Sequence, residues 1–144
     1  MNAAFITTRR VEFSDTDAAG IAHFVAFFRW MEQAEHELLR SVGLSVVTHD
    51  SGGVMSWPRV NAKCDFRGAV RFEDSIQIEV RIARLGEKSI TWQHRFLKDG
   101  VEIAFGEVTS VCCRMQASAA PQSMPIPAWY SEKLCTFALP APVP

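Results

Sequence analysis

Two carboxylates stand two residues apart in the stretch "EFSDTDAAGIAHF", residues 12–24, with a glycine close behind and an apolar run after it. They are Asp15 and Asp17, and few polar side chains flank them. Aspartate is common just before a helix, where a side-chain oxygen takes a free backbone N–H. Spacing alone therefore supports a loop or capping role for both; a reactive carboxylate is the alternative. Further along, Arg59, Lys63 and Arg67 recur on one face of an alternating segment, with Arg71 beyond it. They read either as a solvated strand face or as an anion-binding set, since phosphate recognition favours arginine. His36, His49 and His94 lack ligand spacing, and Cys64, Cys112, Cys113 and Cys135 form no C-x-x-C pair, so no metal centre is expected. The cysteines read as reduced, small core residues.

These residues need elements to position them. Residues 5–14, "FITTRRVEFS", read as a strand. From Phe24 to about Val42 the pattern is helical: Phe24, Phe27, Phe28, Met31, Ala34, Leu38 and Val42 recur at steps of three and four, and Gly43 is a natural stop. At 100° per residue Glu35 falls inside the apolar stripe, where a carboxylate must be paired, hydrogen-bonded or beside a cavity. After a loop at "HDSGG", residues 49–53, the chain reads as strands to about Met115. In "SIQIEVRIARL" Ile76, Ile78, Val80 and Ile82 alternate with polar residues, and in "SITWQHRFL" Ile90, Trp92, His94 and Phe96 do the same. "KDG", residues 98–100, signals a hairpin. The final 24 residues hold six of the seven prolines and read as a tail or surface strap, frayed over "ALPAPVP".

One helix and about five strands with short connections predict a single α+β domain spanning residues 1–144. At 144 residues a sizeable core can be buried without staples. The formal net charge of -1 gives no global pull toward nucleic acid, and no apolar run is long enough to span a membrane. The start, "MNAAFITTRR", lacks the order of a secretory signal. The expectation is a soluble, cytoplasmic protein.

An aromatic residue (Phe13), then D-x-D-x-x-G from Asp15 to Gly20, then an apolar-aromatic helix, resembles the hotdog-fold acyl-CoA thioesterases of the 4-hydroxybenzoyl-CoA thioesterase and YbgC-like type. The stretch "AVRFEDSIQIEVRIARLGEKSITWQHRFLKDG" is similar to that family's following strand pair, and the likeness covers roughly residues 8–115. The resemblance implies a curved antiparallel sheet wrapped around a long helix. It implies homodimers, often paired into homotetramers, with active sites between subunits and acyl-coenzyme A as substrate rather than as a bound cofactor.

The resemblance also assigns roles. Asp17 becomes the catalytic carboxylate, attacking the thioester or activating water, while Asp15 supports the loop. Gly20 supplies the turn. The backbone N–H of Phe24 polarises the carbonyl, as free N–H groups at the positive end of a helix can. Arg59, Lys63, Arg67 and Arg71 become candidates for the coenzyme A phosphates. Three positions depart from the pattern: Ala26 stands where many relatives carry Asn, Phe24 where several carry His or Tyr, and Glu35 where YbgC-like relatives often have Arg. His23 either orients water or the acyl group, or is simply packed. Glu35 is either a second acid or the partner of a strand arginine. A carrier-protein thioester is an alternative substrate, a non-catalytic acyl-CoA-binding module an alternative function, and a hydratase on the same fold lacks a clear His-plus-acid signature.

Overall fold

The computed structural model describes residues 3–141. Five strands form the main sheet: β1 (Phe5–Arg10), β4 (Arg59–Phe66), β5 (Ser75–Leu85), β6 (Ser89–Lys98) and β7 (Val101–Val111). Their order is β1-β5-β6-β7-β4, with every neighbouring pair antiparallel. Helix α1 (Phe24–Ser41) packs against the inner face. The helix and the α+β class agree with the sequence reading.

The alternation in β5 and β6 does what period-two patterning predicts. Ile76, Ile78, Val80 and Ile82 are buried, as are Ile90, Trp92, His94 and Phe96 facing the same core. Each fully buried apolar side chain among them contributes roughly 1.5–3 kcal/mol relative to exposure. Burial also pushes the His94 imidazole down to about 3, so it sits in the core uncharged. Contact between α1 and the sheet is close at Gly106, where an added Cβ would run into Met31 Sδ. On α1 the buried set is Ala26, Phe27, Trp30, Met31, Ala34, Glu35, Leu38 and Leu39. Phe24, expected in the apolar stripe, is instead exposed at the helix start.

Several expectations need correction. The segment 49–53 is not a bare loop: β2 (Thr48–Asp50) and β3 (Gly53–Ser56) form a hairpin closed around residues 51–52. The strand reading to about Met115 does not hold as one run: the last strand of the main sheet ends before Cys112, where the N–H donates to Lys88 O and the carbonyl accepts from Met124 N–H. Beyond it β8 (Cys113–Gln116) and β9 (Ala119–Ser123) join β2 and β3 in a second sheet, ordered β2-β3-β8-β9. The proline-rich end is largely structured. Helix α2 (Ala128–Leu134) buries Tyr130 and Leu134, and the Tyr130 hydroxyl donates to Ser45 O at 3.0 Å. Ala138 and Leu139 lie along β5, with Leu139 N–H donating to Ile82 O at 2.8 Å. Of the stretch expected to fray, residues 142–144 lie outside the described residues.

Strand β4 is an edge strand and only half covered. A bulge between Arg59 and Asn61 turns Arg59 inward, so Arg59 and Lys63 do not share a face as the plain alternation implies. Val60 and Phe66 remain 62% and 46% exposed.

Candidate active site

The loop between β1 and α1 is held by its own backbone. Residues Phe13–Asp15 make one 3-10 turn, in which an Asp15 carboxylate oxygen accepts the Glu12 N–H at 2.9 Å. The other Asp15 oxygen meets Arg29 at 3.3 Å, and the Asp15 carbonyl accepts the His23 N–H at 2.7 Å. Asp15 thus ties both ends of the loop together. Asp17 N–H donates to Ile21 O and Gly20 N–H to Asp17 O, both at 2.9 Å. Gly20 sits at φ +80°, the left-handed region that favours glycine. The turn leaves Asp17 half-buried, with Oδ1 accepting the Ala19 N–H at 2.8 Å and Oδ2 without a partner among the described residues.

Helix α1 begins four residues after Gly20. The first N–H groups of a helix have no internal partner. Two of the first three are occupied here by the same residue: His23 O accepts from Ala26 N–H at 2.9 Å, and His23 Nδ1 accepts from Val25 N–H at 3.1 Å. The Phe24 N–H is left without a protein partner among the described residues. His23 is therefore the helix cap, a role the sequence did not suggest because histidine is not among the preferred capping residues. Its ring stacks on that of Phe24, centroids 4.6 Å apart.

Asp17 and Phe24 open onto one cleft of about 420 Å³. Ile21, Ala22, Phe27, Phe66 and Val70 give it an apolar, aromatic lining, which Arg67, Gly68 and Ala69 complete. Phe27 and Phe66 meet edge to face at 5.1 Å. Ala22 N–H donates to Val70 O at 2.7 Å, which fastens the loop to the segment that follows β4. The arrangement sets a carboxylate with a free oxygen, and a residue whose backbone donor is unengaged, on one largely apolar cleft. Such a pair can work on a carbonyl: the acid as nucleophile or base, the N–H as acceptor of developing negative charge.

The four cations expected to act together do not gather. Arg67 lines the cleft and also pairs with Glu102. Arg71 lies beside the loop, its backbone N–H donating to Asp74 at 2.8 Å and its guanidinium 3.4 Å from Gly20 O, with no ion pair to that guanidinium among the described residues. Lys63 pairs with Glu107 at 3.1 Å. Arg59 is turned into the core against Glu35 at 2.6 Å. Glu35 is thus the partner of a strand arginine, one of its two expected readings. Burial raises its pKa and the Arg59 guanidinium opposes that rise. A second recess of about 160 Å³ lies next to this pair, between Phe28 and Glu32 on α1, Ala62 on β4 and Val108 on β7. The thiols of Cys64 and Cys112 are both pushed up to about 11 by burial, which suits inert core residues.

A family model described as the thioesterase-like superfamily matches residues 11–134. The chain is 32% identical over 127 residues to a 1,4-dihydroxy-2-naphthoyl-CoA hydrolase from Synechococcus sp. (strain WH7803), covering 81% of this chain and 83% of that one. Among solved structures it is similar to a gentisyl-coenzyme A thioesterase, at 28% identity and a TM-score of 0.77, with 91% and 100% of the two chains covered. A 1,4-dihydroxy-2-naphthoyl-CoA thioesterase from Synechocystis superposes with a TM-score of 0.82 over 92% and 96% of the chains, and at 22% identity it speaks to the fold alone.

Proposed function

The chain belongs to the thioesterase-like superfamily, whose members to which it is similar are coenzyme A thioester hydrolases, and we propose that it hydrolyses an aromatic acyl-coenzyme A through Asp17 and the backbone N–H of Phe24. The observation that carries this reading is the convergence of the two groups on one cleft. The aromatic preference draws support from the Phe24, Phe27 and Phe66 lining and from the aromatic acyl groups in the names of the relatives.

The thioester carbonyl oxygen receives the Phe24 N–H, and negative charge grows on that oxygen as the carbon becomes tetrahedral. A donor of this kind contributes about 3–4 kcal/mol in enzymes where it has been removed. The free oxygen of Asp17 either attacks the carbon, displacing coenzyme A thiolate and leaving a mixed anhydride that water opens, or takes a proton from the attacking water. Both routes need the carboxylate ionised, and both end in carboxylic acid and free thiol. Arg67, on the cleft although also paired with Glu102, and Arg71, beside the loop, are the cations nearest the cleft and the candidates for the coenzyme A phosphates; Arg59 faces the core and Lys63 does not line the cleft.

The working unit is a homodimer, or a homotetramer built from dimers, joined along the open edge of β4. An edge strand with exposed apolar side chains is a template for a second strand. Both recesses, the 420 Å³ cleft and the 160 Å³ one, border this edge, so a second copy would complete them. Replacing Val60 by Lys is expected to shift the sedimentation mass toward the 16.1 kDa of one chain and to lower activity with it. A monomeric parent of full activity would exclude the shared site.

The functional test is release of free thiol from a panel of aromatic and aliphatic acyl-CoA thioesters, with turnover expected on at least one aromatic member. Binding of acyl-CoA without thiol release across the panel would favour a non-catalytic module, and turnover confined to carrier-protein thioesters would reassign the substrate.

A further inference from the structure

We propose that His23 is a positioning residue: it selects which backbone N–H at the start of α1 stays free for the thioester oxygen, and it holds that group in place. The inference rests on the reading of Phe24 N–H as the carbonyl donor. Four contacts of one residue carry it. The His23 N–H is anchored on Asp15 O at 2.7 Å, which fixes the end of the catalytic loop. Its carbonyl takes the Ala26 N–H at 2.9 Å. Its Nδ1 takes the Val25 N–H at 3.1 Å. Its ring lies on the Phe24 ring at 26° between planes.

The chemistry follows from these contacts. An Nδ1 that accepts a hydrogen bond carries no proton, so the ring is in the tautomer protonated on Nε2. With the side chain present, the His23 and Val25 N–H groups on either side are engaged, and the N–H of Phe24, a residue lining the cleft, is the one left unpaired among the described residues. Without it, Val25 N–H is also released, the first turn loses its cap and the Phe24 ring loses its support. Two adjacent, less fixed donors then compete for one oxygen. Oxyanion stabilisation depends on donors held about 2.7–3.1 Å from where the charge forms, so the loss falls on the transition state and not on substrate binding. Ala26, next in the turn, has no side-chain donor or acceptor to compensate.

The experiment compares His23→Ala with His23→Asn, since Asn keeps a side-chain acceptor and is a favoured cap. With an aromatic acyl-CoA that the parent turns over, His23→Ala should lower kcat roughly ten-fold, less than outright loss of an oxyanion donor, and leave KM within about two-fold. His23→Asn should recover kcat to within about three-fold of the parent. Amide hydrogen exchange by NMR gives a readout that needs no activity: Val25 should be protected in the parent, exposed in His23→Ala and protected again in His23→Asn. An Ala variant with parental kcat, an Asn variant as slow as Ala, or an effect confined to KM would each overturn the proposal. A parent that releases no thiol would overturn the function and the positioning role with it, while protection at Val25 would still identify the cap.

Discussion

Asp17→Asn is expected to lower kcat for an aromatic acyl-CoA by about 100- to 10,000-fold, the range in which a positioned acid or base contributes, while the protein stays folded. The substitution is nearly isosteric. Asn retains a carbonyl oxygen for the Ala19 N–H, so the turn through Gly20 keeps its side-chain contact. What disappears is the charge, and with it both the nucleophile and the base. KM should change little, because the aromatic wall of the cleft and the Phe24 N–H are untouched. Steady-state kinetics beside a thermal melt provide the check. Asp15→Asn is the control: its oxygens serve Glu12 N–H and Arg29, outside the cleft, so most activity should survive. Equal rates for Asp17→Asn and parent would remove Asp17 from the chemistry, and an equal loss at Asp15 would mean that loop geometry, not the charge at residue 17, limits the rate.

The asymmetry between the two aspartates was legible only in part from the sequence. Composition and spacing treat them alike; the likeness to a family separated them, and the loop's hydrogen bonds now give each its own place. Long, strongly periodic elements read well because burial enforces their period: α1 from the three-and-four spacing, β5 and β6 from strict alternation. The second sheet did not read as a separate layer, although most of β3 and of β8 falls inside the stretch expected as strands. Its strands are three to five residues long, only Met55 in β3 and Cys113 in β8 are buried, and β9 is exposed throughout, so too few core positions exist to show a period. Helix α2 is tied down by Tyr130 and Leu134 alone, too few positions to show a period among prolines. In β4 the alternation "RVNAKCDF" looks unbroken, and a bulge, which leaves no mark in an alternating sequence, moves Arg59 to the other face. His23 was missed as a cap for a similar reason: the geometry that lets Nδ1 reach back to Val25 lies in the backbone, not in the residue type.

That inward turn of Arg59 makes the largest stability effect expected in this protein. Glu35 is 3% exposed, and its carboxylate meets the Arg59 guanidinium at 2.8 and 2.6 Å through two separate nitrogens. Burying the acid is unfavourable, and desolvation is the leading influence on its protonation. Arg59→Met removes the compensating charge and keeps the chain length. It should cost about 3–5 kcal/mol at neutral pH, the range for breaking a buried pair from one side. The loss should shrink as pH falls. With Arg59 gone nothing opposes desolvation, so the folded-state pKa of Glu35 rises further above its unfolded value. The folded variant then binds the extra proton, and its stability increases toward acid pH and is lost as pH rises through the raised pKa. Glu35→Met with Arg59→Met removes both charges at once and should recover most of the deficit, since an apolar pair of similar volume is often neutral or better in such a place. Urea unfolding of the two variants and the parent at pH 7 and at pH 5 tests this directly. A single variant as stable as the parent at pH 7, or a double variant no better than the single, would show that the pair is solvated rather than buried. Activity supplies the second half of the test. If the pair is structural, the double variant keeps its kcat; if the 160 Å³ recess beside it receives the acyl group, KM for aromatic thioesters changes while the fold does not.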